Sequence, residues 1–239
     1  MKTLGLLGGM SWESTLVYYR LINQGVATRL GGLHSAKLLL ASLEFDEIAA
    51  MQRSGEWARA GELLGQAGAG LRQAGAQALL IATNTMHKVA PTVAQVSGLP
   101  LLHIGDATGA AIRAAGCSRV GLLGTRFSME DPFLVDHLAH RFGIETVVPG
   151  AAARAELHRI IFEELCQGRL VDSSREHFRR AIGAMAAEGC EAVILGCTEI
   201  SLLVDPAATG WPVPLFDTTA LHARAAVAWL TEDSPEANK

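Results

Sequence analysis

The chain has 239 residues, 49% hydrophobic and 18% charged, with a formal net charge of −4 and a mean hydropathy of +0.25. High apolar content with low charge excludes a disordered protein, and the length suits one large domain or two small ones, each able to bury a core. The acidic balance and the 5% aromatic content argue against a nucleic-acid partner, which needs a basic stripe and rings for stacking. The sequence holds no apolar run of about 18 residues, so no membrane partner is expected.

The first segment, MKTLGLLGGMSWE, superficially resembles a signal peptide. Its apolar stretch is brief, and Trp12-Glu13 stand where a small-residue cleavage site should follow. Leu4–Leu7 is therefore expected to be a strand, and the protein to be cytoplasmic. Glu13–Gly31 follows as a helix, with Leu16, Tyr18, Tyr19 and Ile22 at helical spacing. Leu38–Ala41 is a strand, Glu56–Ala74 an Ala- and Leu-rich helix, and Ala78–Ala82 and Leu101–Ile104 are strands. The second half repeats the scheme. Strands are expected at Val120–Leu123, Glu145–Val148, Ala192–Gly196 and Val213–Phe216, with helices at Met129–Phe142, Ala152–Gly168 and Ser174–Gly189. The polar tail from Thr231 is expected to fray. Short continuous apolar runs suit parallel strands covered on both faces, and their alternation with helices predicts a doubly wound α/β fold.

The halves are copies of one pattern. TLGLLGGMSWESTLVYYRLI from Thr3 matches RVGLLGTRFSMEDPFLVDHL from Arg119, with Gly8 and Gly124 separated by 116 positions. AGAQALLIATNT from Ala74 matches EGCEAVILGCTE from Glu188, with Thr83 and Cys197 separated by 114. GLPLLHIGDAT from Gly98 matches GWPVPLFDTTA from Gly210, 112 positions on. Three ordered matches at nearly one offset indicate duplication. The expectation is two pseudo-symmetric doubly wound domains with parallel sheets and a tight interface.

In such folds ligands meet the carboxyl ends of strands. Those positions are Gly8-Gly9-Met10-Ser11, Thr83-Asn84-Thr85, Gly124-Thr125 and Cys197-Thr198-Glu199. If the halves face each other, Thr83 and Cys197 approach one cleft from opposite sides. Each residue also has a plainer reading. Cys197 suits a buried small apolar side chain, although a helix N-terminus at Thr198-Glu199 would favour its thiolate. Glu199 either relays a proton and orients that thiol or, more simply, answers a helix dipole. Thr83, Asn84 and Thr85 suit a helix N-cap, which is compatible with a carboxylate site at uncapped amides. Ser11 and Ser128 occupy similar places in the repeats and either contact ligand or cap helices. His87, four residues after Thr83 in the next helix turn, either tunes the site or, more simply, lies on a helix surface. His137 and His140 have helical spacing for a metal, but no third ligand has an obvious place, so a solvated face is expected. Cys117, Cys166 and Cys190 are taken as structural. No CxxC or CxH spacing indicates zinc or a disulfide framework. The turn GLLGGMSWE lacks GxGxxG spacing and a P-loop Lys, so a nucleotide site is not expected.

The segments GGMSWEST, TNTMHK, LLGTRFSM, HRIIFEEL and GCTE, in this order along nearly the whole chain, resemble the aspartate/glutamate racemase family, and most closely its aspartate-racemase-like, broad-specificity amino-acid branch. The resemblance implies a racemase that needs no cofactor, no metal and no pyridoxal phosphate. It also implies a small-molecule amino-acid substrate held between two domains, and a homodimer. It implies that the last strand and helix return to the first domain, giving 1–105 with 212–231, 106–211 and a tail at 232–239. Typical members carry two catalytic Cys. Here the pair is Thr83 and Cys197, as in a Thr/Cys branch of the family. A Thr hydroxyl is far less acidic than a thiol of pKa about 8.5, so proton abstraction by Cys197 is expected to be the easier.

By the same resemblance the substrate carboxylate meets Asn84, Thr85 and Thr198, and Met10 supplies an apolar wall. The side-chain pocket is read at Gln52 and Glu164, with Arg53 pointing elsewhere. Thr125, Ser128, Ser11 and Glu199 are supporting residues. Where acid-specific members place basic residues, this chain has a neutral Gln52 and an acidic Glu164, so polar neutral or basic amino acids are expected over aspartate and glutamate. Three alternatives remain open from sequence: an aspartate or glutamate racemase proper, a single-Cys decarboxylase or isomerase of the same superfamily, and a catalytically silent amino-acid-binding protein.

Overall fold

The computed structural model describes residues 1–232 and 234; the remainder of the expected frayed tail lies outside the described residues. The chain forms two compact units, Met1–His103 with the chain from His222, and Ile104–Leu221.

The first unit contains β1 (Leu4–Gly8), α1 (Trp12–Leu30), β2 (Leu38–Ser42), α2 (Phe45–Ser54), α3 (Trp57–Gln73), β3 (Ala78–Ile81), a 3₁₀ turn at Thr85–Val89, α4 (Ala90–Ser97) and β4 (Leu101–Leu102). Its four strands are parallel in the order β2-β1-β3-β4. Neighbouring residues of a strand point to opposite faces, and both faces are covered. Leu4, Leu6, Ala78 and Leu80 pack with Tyr18, Ile22 and Val26 of α1 and with Ala226 and Leu230. Leu7, Leu79 and Ile81 pack with Ile48, Leu64 and Val93 of α2, α3 and α4. This double burial is why these strands read as unbroken apolar runs.

The second unit contains α5 (Ile104–Ala114), β5 (Arg119–Gly124), α6 (Arg126–Glu130), α7 (Phe133–Phe142), β6 (Glu145–Val147), α8 (Ala151–Glu163), a 3₁₀ turn at Leu165–Gln167, α9 (Asp172–Ala187), β7 (Ala192–Gly196), α10 (Ile200–Leu203) and β8 (Leu215–Asp217). Helix α11 (Thr218–Thr231) begins here and continues into the first unit. The parallel order β6-β5-β7-β8 repeats that of the first sheet. Val120, Leu122 and Ile194 pack under α5 and α7 through Ile112, Leu134 and Leu138. On the other face Leu123, Val193 and Leu195 meet Ile160, Phe178 and Ile182 of α8 and α9.

Four details differ from the sequence expectation. Leu215–Asp217 does not return to the first domain, because β8 pairs with β7 through Val193↔Leu215 and Ile194↔Phe216; only the chain from His222 returns. Met129–Phe142 is two helices, because a residue before proline is driven out of the helical region and Asp131, preceding Pro132, is extended at ψ 131°. Helix α8 stops at Glu163, and the 3₁₀ turn after it closes on Gly168 at φ +71°. Helices α2, α4 and α5, of 10, 8 and 11 residues, have no counterpart in the sequence reading; they offer only two or three turns of periodicity. Among the described residues no helix is long and apolar enough to cross a membrane.

Candidate functional site

The strand-end turns carry the candidate residues, and each unit builds its own set. In the first unit the β1 turn needs glycine. Gly9 has φ +89°, and a Cβ there would run into the Leu43 backbone. Thr15 Oγ1 accepts the Gly9 N–H at 2.8 Å and donates to the Ser11 carbonyl at 2.9 Å. Ser11 caps α1, its hydroxyl accepting the Ser14 N–H at 3.4 Å. Met10 is buried in the cluster that also holds Met86, and Gln52 reaches that cluster through Nε2, 3.2 Å from Met86 Sδ. Arg53 is exposed and ion-paired with Asp46, so it does point away from Gln52.

The β3 turn follows the last ladder bond, Ala82 N–H to the Leu7 carbonyl at 2.9 Å. Thr83 is partly exposed, whereas Asn84 and Thr85 are buried. The expected side-chain cap is not formed by Asn84, which is itself in the helical region and makes no capping bond to the five-residue 3₁₀ turn. His87 corrects the surface expectation. It is 2% exposed, and its Nδ1 lies 2.8 Å from the Thr83 carbonyl oxygen. A carbonyl only accepts, so Nδ1 carries the proton. The His103 and His222 rings sit 4.8 and 5.4 Å from the His87 ring. Burial first, then these imidazoles, hold His87 well below the usual imidazole range. His222 Nε2 donates to the Leu102 carbonyl at 2.8 Å, leaving Nδ1 to accept from the Tyr18 hydroxyl at 3.0 Å.

In the second unit the β7 turn presents Cys197, 8% exposed, with Thr198 and Glu199 also buried. The Cys197 thiol donates to Glu199 Oε2 at 2.9 Å. Cys166, expected to be merely structural, directs its thiol at the other oxygen, Oε1, at 3.9 Å. Burial, reinforced by the Glu199 charge and by Cys166, pushes the Cys197 thiol well above its ordinary range. The thiolate expected from a helix N-terminus is thus replaced by a resting thiol, because α10 has only four residues and desolvation dominates. Glu199 is not simply a dipole residue: it faces the thiol rather than solvent. Thr198 Oγ1 accepts from Thr219 Oγ1 at 3.2 Å.

Thr125 caps α6 by accepting the Ser128 N–H at 3.3 Å. Ser128 is therefore the counterpart of Ser14, which serves the Ser11 cap, and not of Ser11. Glu164 is fixed on both oxygens, by Arg159 Nη1 at 3.0 Å and Ser174 Oγ at 2.5 Å. His137 is partly buried, with Nε2 2.8 Å from Asp106 Oδ1, whereas His140 is exposed as expected.

The structure thus gathers Met10, Gln52 and the Thr83 turn in one unit, and Cys197 with Glu199 in the other. Cys166 is the residue the sequence reading missed, and His87 is the one it set on a helix surface. His87 had a signal, four residues beyond a strand-terminal Thr, where a helical turn brings a ring back to that carbonyl. Cys166 had none, because it is 33 positions from Glu199.

The family described as Asp/Glu/Hydantoin racemase matches residues 7–226. A Yersinia pestis protein described as a candidate Asp/Glu racemase is 50% identical, with a TM-score of 0.89, over 96% of this chain and 99% of that one. An aspartate racemase homologue from Pyrococcus horikoshii is 33% identical, with a TM-score of 0.83, over 97% of this chain and 100% of that one. An aspartate racemase from Picrophilus torridus, 18% identical with a TM-score of 0.72 over 96% and 94%, shares the fold.

Proposed function

The chain belongs to the Asp/Glu/Hydantoin racemase family, and from that premise we propose that it is a cofactor-independent amino-acid racemase using Thr83 and Cys197 as its two proton-transfer groups. Racemisation at Cα requires one group to take a proton from one face and another to deliver one to the opposite face. The duplicated strand ends supply a hydroxyl and a thiol for these roles. The observation that carries the reading is the Cys197–Glu199 pair. A buried thiol is a poor base at rest, but with a carboxylate 2.9 Å from its sulfur the proton has somewhere to go. In the abstracting direction the Cys197 proton passes to Glu199, the thiolate takes the α-proton, Thr83 delivers its hydroxyl proton to the other face, and the proton held by Glu199 returns to Thr83 through solvent. The reverse direction starts at the less acidic Thr83 hydroxyl. The two enantiomers are processed at different rates, while the equilibrium constant is untouched. The substrate carboxylate is assigned to Asn84, Thr85 and Thr198, whose amides and side chains offer donors.

Neutral Gln52 and acidic Glu164 favour broad specificity, with polar neutral or basic amino acids ahead of aspartate and glutamate. A second reading has its own support. Arg159 pairs with Glu164, which offsets the repulsion of an acidic substrate and leaves aspartate or glutamate as the alternative. One experiment decides both matters: a panel of resolved amino acids in deuterated water without pyridoxal phosphate, read by chiral chromatography and loss of α-hydrogen. The expected result is exchange with inversion, fastest for neutral or basic members. Fastest turnover of aspartate or glutamate reverses the specificity, and no exchange anywhere in the panel removes the racemase reading.

A further inference from the structure

We propose that His87 is a positioning residue for Thr83, holding the peptide that carries the catalytic hydroxyl through its Nδ1–H bond to the Thr83 carbonyl oxygen. The inference rests on the assignment of Thr83 made above. Filling this space with an aliphatic side chain would cost less than burying an imidazole, so the ring earns its place through its polar contact. That contact reaches the Thr83 peptide itself at 2.8 Å. The ring is confined in turn. His103 lies edge-on at 4.8 Å and His222 at 5.4 Å, and His222 is anchored at both nitrogens by Leu102 and Tyr18. The chain His87–His222–Tyr18 therefore runs from the β3 turn to the helix α1 that buries the sheet, and it gives a short 3₁₀ turn a fixed orientation. The Cys197 turn has a different support: its carbonyl takes the Ile200 N–H at 3.2 Å, and its side chain is held by Glu199.

Such a residue touches no reacting atom, so its loss should act on one proton-transfer group and not on the other. The experiment follows α-deuterium wash-out from each pure enantiomer separately, because a group that abstracts and then exchanges its proton with solvent reports its own face. Thr83→Val identifies the enantiomer whose exchange depends on Thr83. His87→Leu should slow that same exchange roughly tenfold or more, the scale on which misplacing a reacting group acts, with KM little changed and exchange of the other enantiomer near native. His87→Asn, which can place an amide N–H where Nδ1–H was, should restore most of the rate. The carbonyl ¹³C shift of Thr83 should move in His87→Leu and stay near native in His87→Asn. Equal loss for both enantiomers, no loss in His87→Leu, no rescue in His87→Asn or an unmoved carbonyl shift would overturn the positioning role while leaving the racemase intact. Native protein with no exchange from either enantiomer would instead sink the racemase reading, and the positioning role with it.

Discussion

The β3 and β7 turns end the same strand of the same sheet order, yet they are held by opposite means. At β3 a neutral imidazole grips the backbone of Thr83 and leaves the hydroxyl to itself. At β7 a carboxylate grips the side chain of Cys197, and burial, reinforced by that charge, pushes the thiol well above its ordinary range. A hydroxyl ionises far less readily than a thiol, and the support seen at Thr83 acts on its position. At Cys197 burial first, and the carboxylate beside it second, act on when the thiol ionises. Duplication kept the scaffold, and the chemistry of each end group selected its support.

The largest expected effect falls on the thiol end. Cys197→Ala should lower racemisation about 10²–10⁴-fold, the usual worth of a positioned acid–base group, measured as inversion by chiral chromatography. Inversion at the native rate would remove Cys197 from the reaction and dissolve the comparison.

The turns after β1 and β5 extend the contrast to stability. Gly9→Ala puts a side chain at φ +89° against the Leu43 backbone and should cost about 2–3 kcal/mol. Thr125→Ala loses only a cap and should cost about 1 kcal/mol. Urea unfolding midpoints of the two variants should rank in that order, and equal costs would mean that the glycine turn tolerates more than its geometry indicates.

Acid should act on the first unit through His87. Its folded pKa is depressed by burial and by His222 and His103, whereas the unfolded chain takes up a proton there near pH 6.5. The contribution is therefore complete above about pH 6.5 and is lost as the pH falls from there toward the folded value. Native urea midpoints should decline across that window, and His87→Asn should flatten the decline. A slope unchanged in His87→Asn would assign the pH dependence to another group. The mildest effect is spectroscopic. Glu199→Gln removes a neighbouring charge and should bring the thiolate absorbance of Cys197 in at lower pH than in the native protein. Burial, the leading cause, remains, so the thiol should stay above its ordinary range.

Most of this architecture is legible in the amino-acid sequence. The eight strands could be placed because each is an apolar run between turns, and the repeat of GLLG, the TNT and GCT strand ends and the Pro-containing last segment exposed the duplication. Thr83 and Cys197 stood out because strand ends are where such folds put chemistry. The errors have a common cause. Val213–Phe216 was drawn to the wrong unit because an apolar run does not say which sheet it joins; pairing with β7 does. Cys166 was read as structural because its partner Glu199 lies 33 positions away, and the plainer readings of His87 and Glu199 gained weight because a local pattern does not show that both are buried.

What the amino-acid order determined alone was the periodic part: parallel strands buried on both faces, two copies of one unit and a hydroxyl and thiol at matching strand ends. Those follow from side-chain periodicity and turn chemistry, which act over a few residues. Only the tertiary structure decided that Cys197 rests as a thiol and that Thr83 hangs from an imidazole, because desolvation and hydrogen bonding depend on which side chains folding brings within about 3–4 Å of each other.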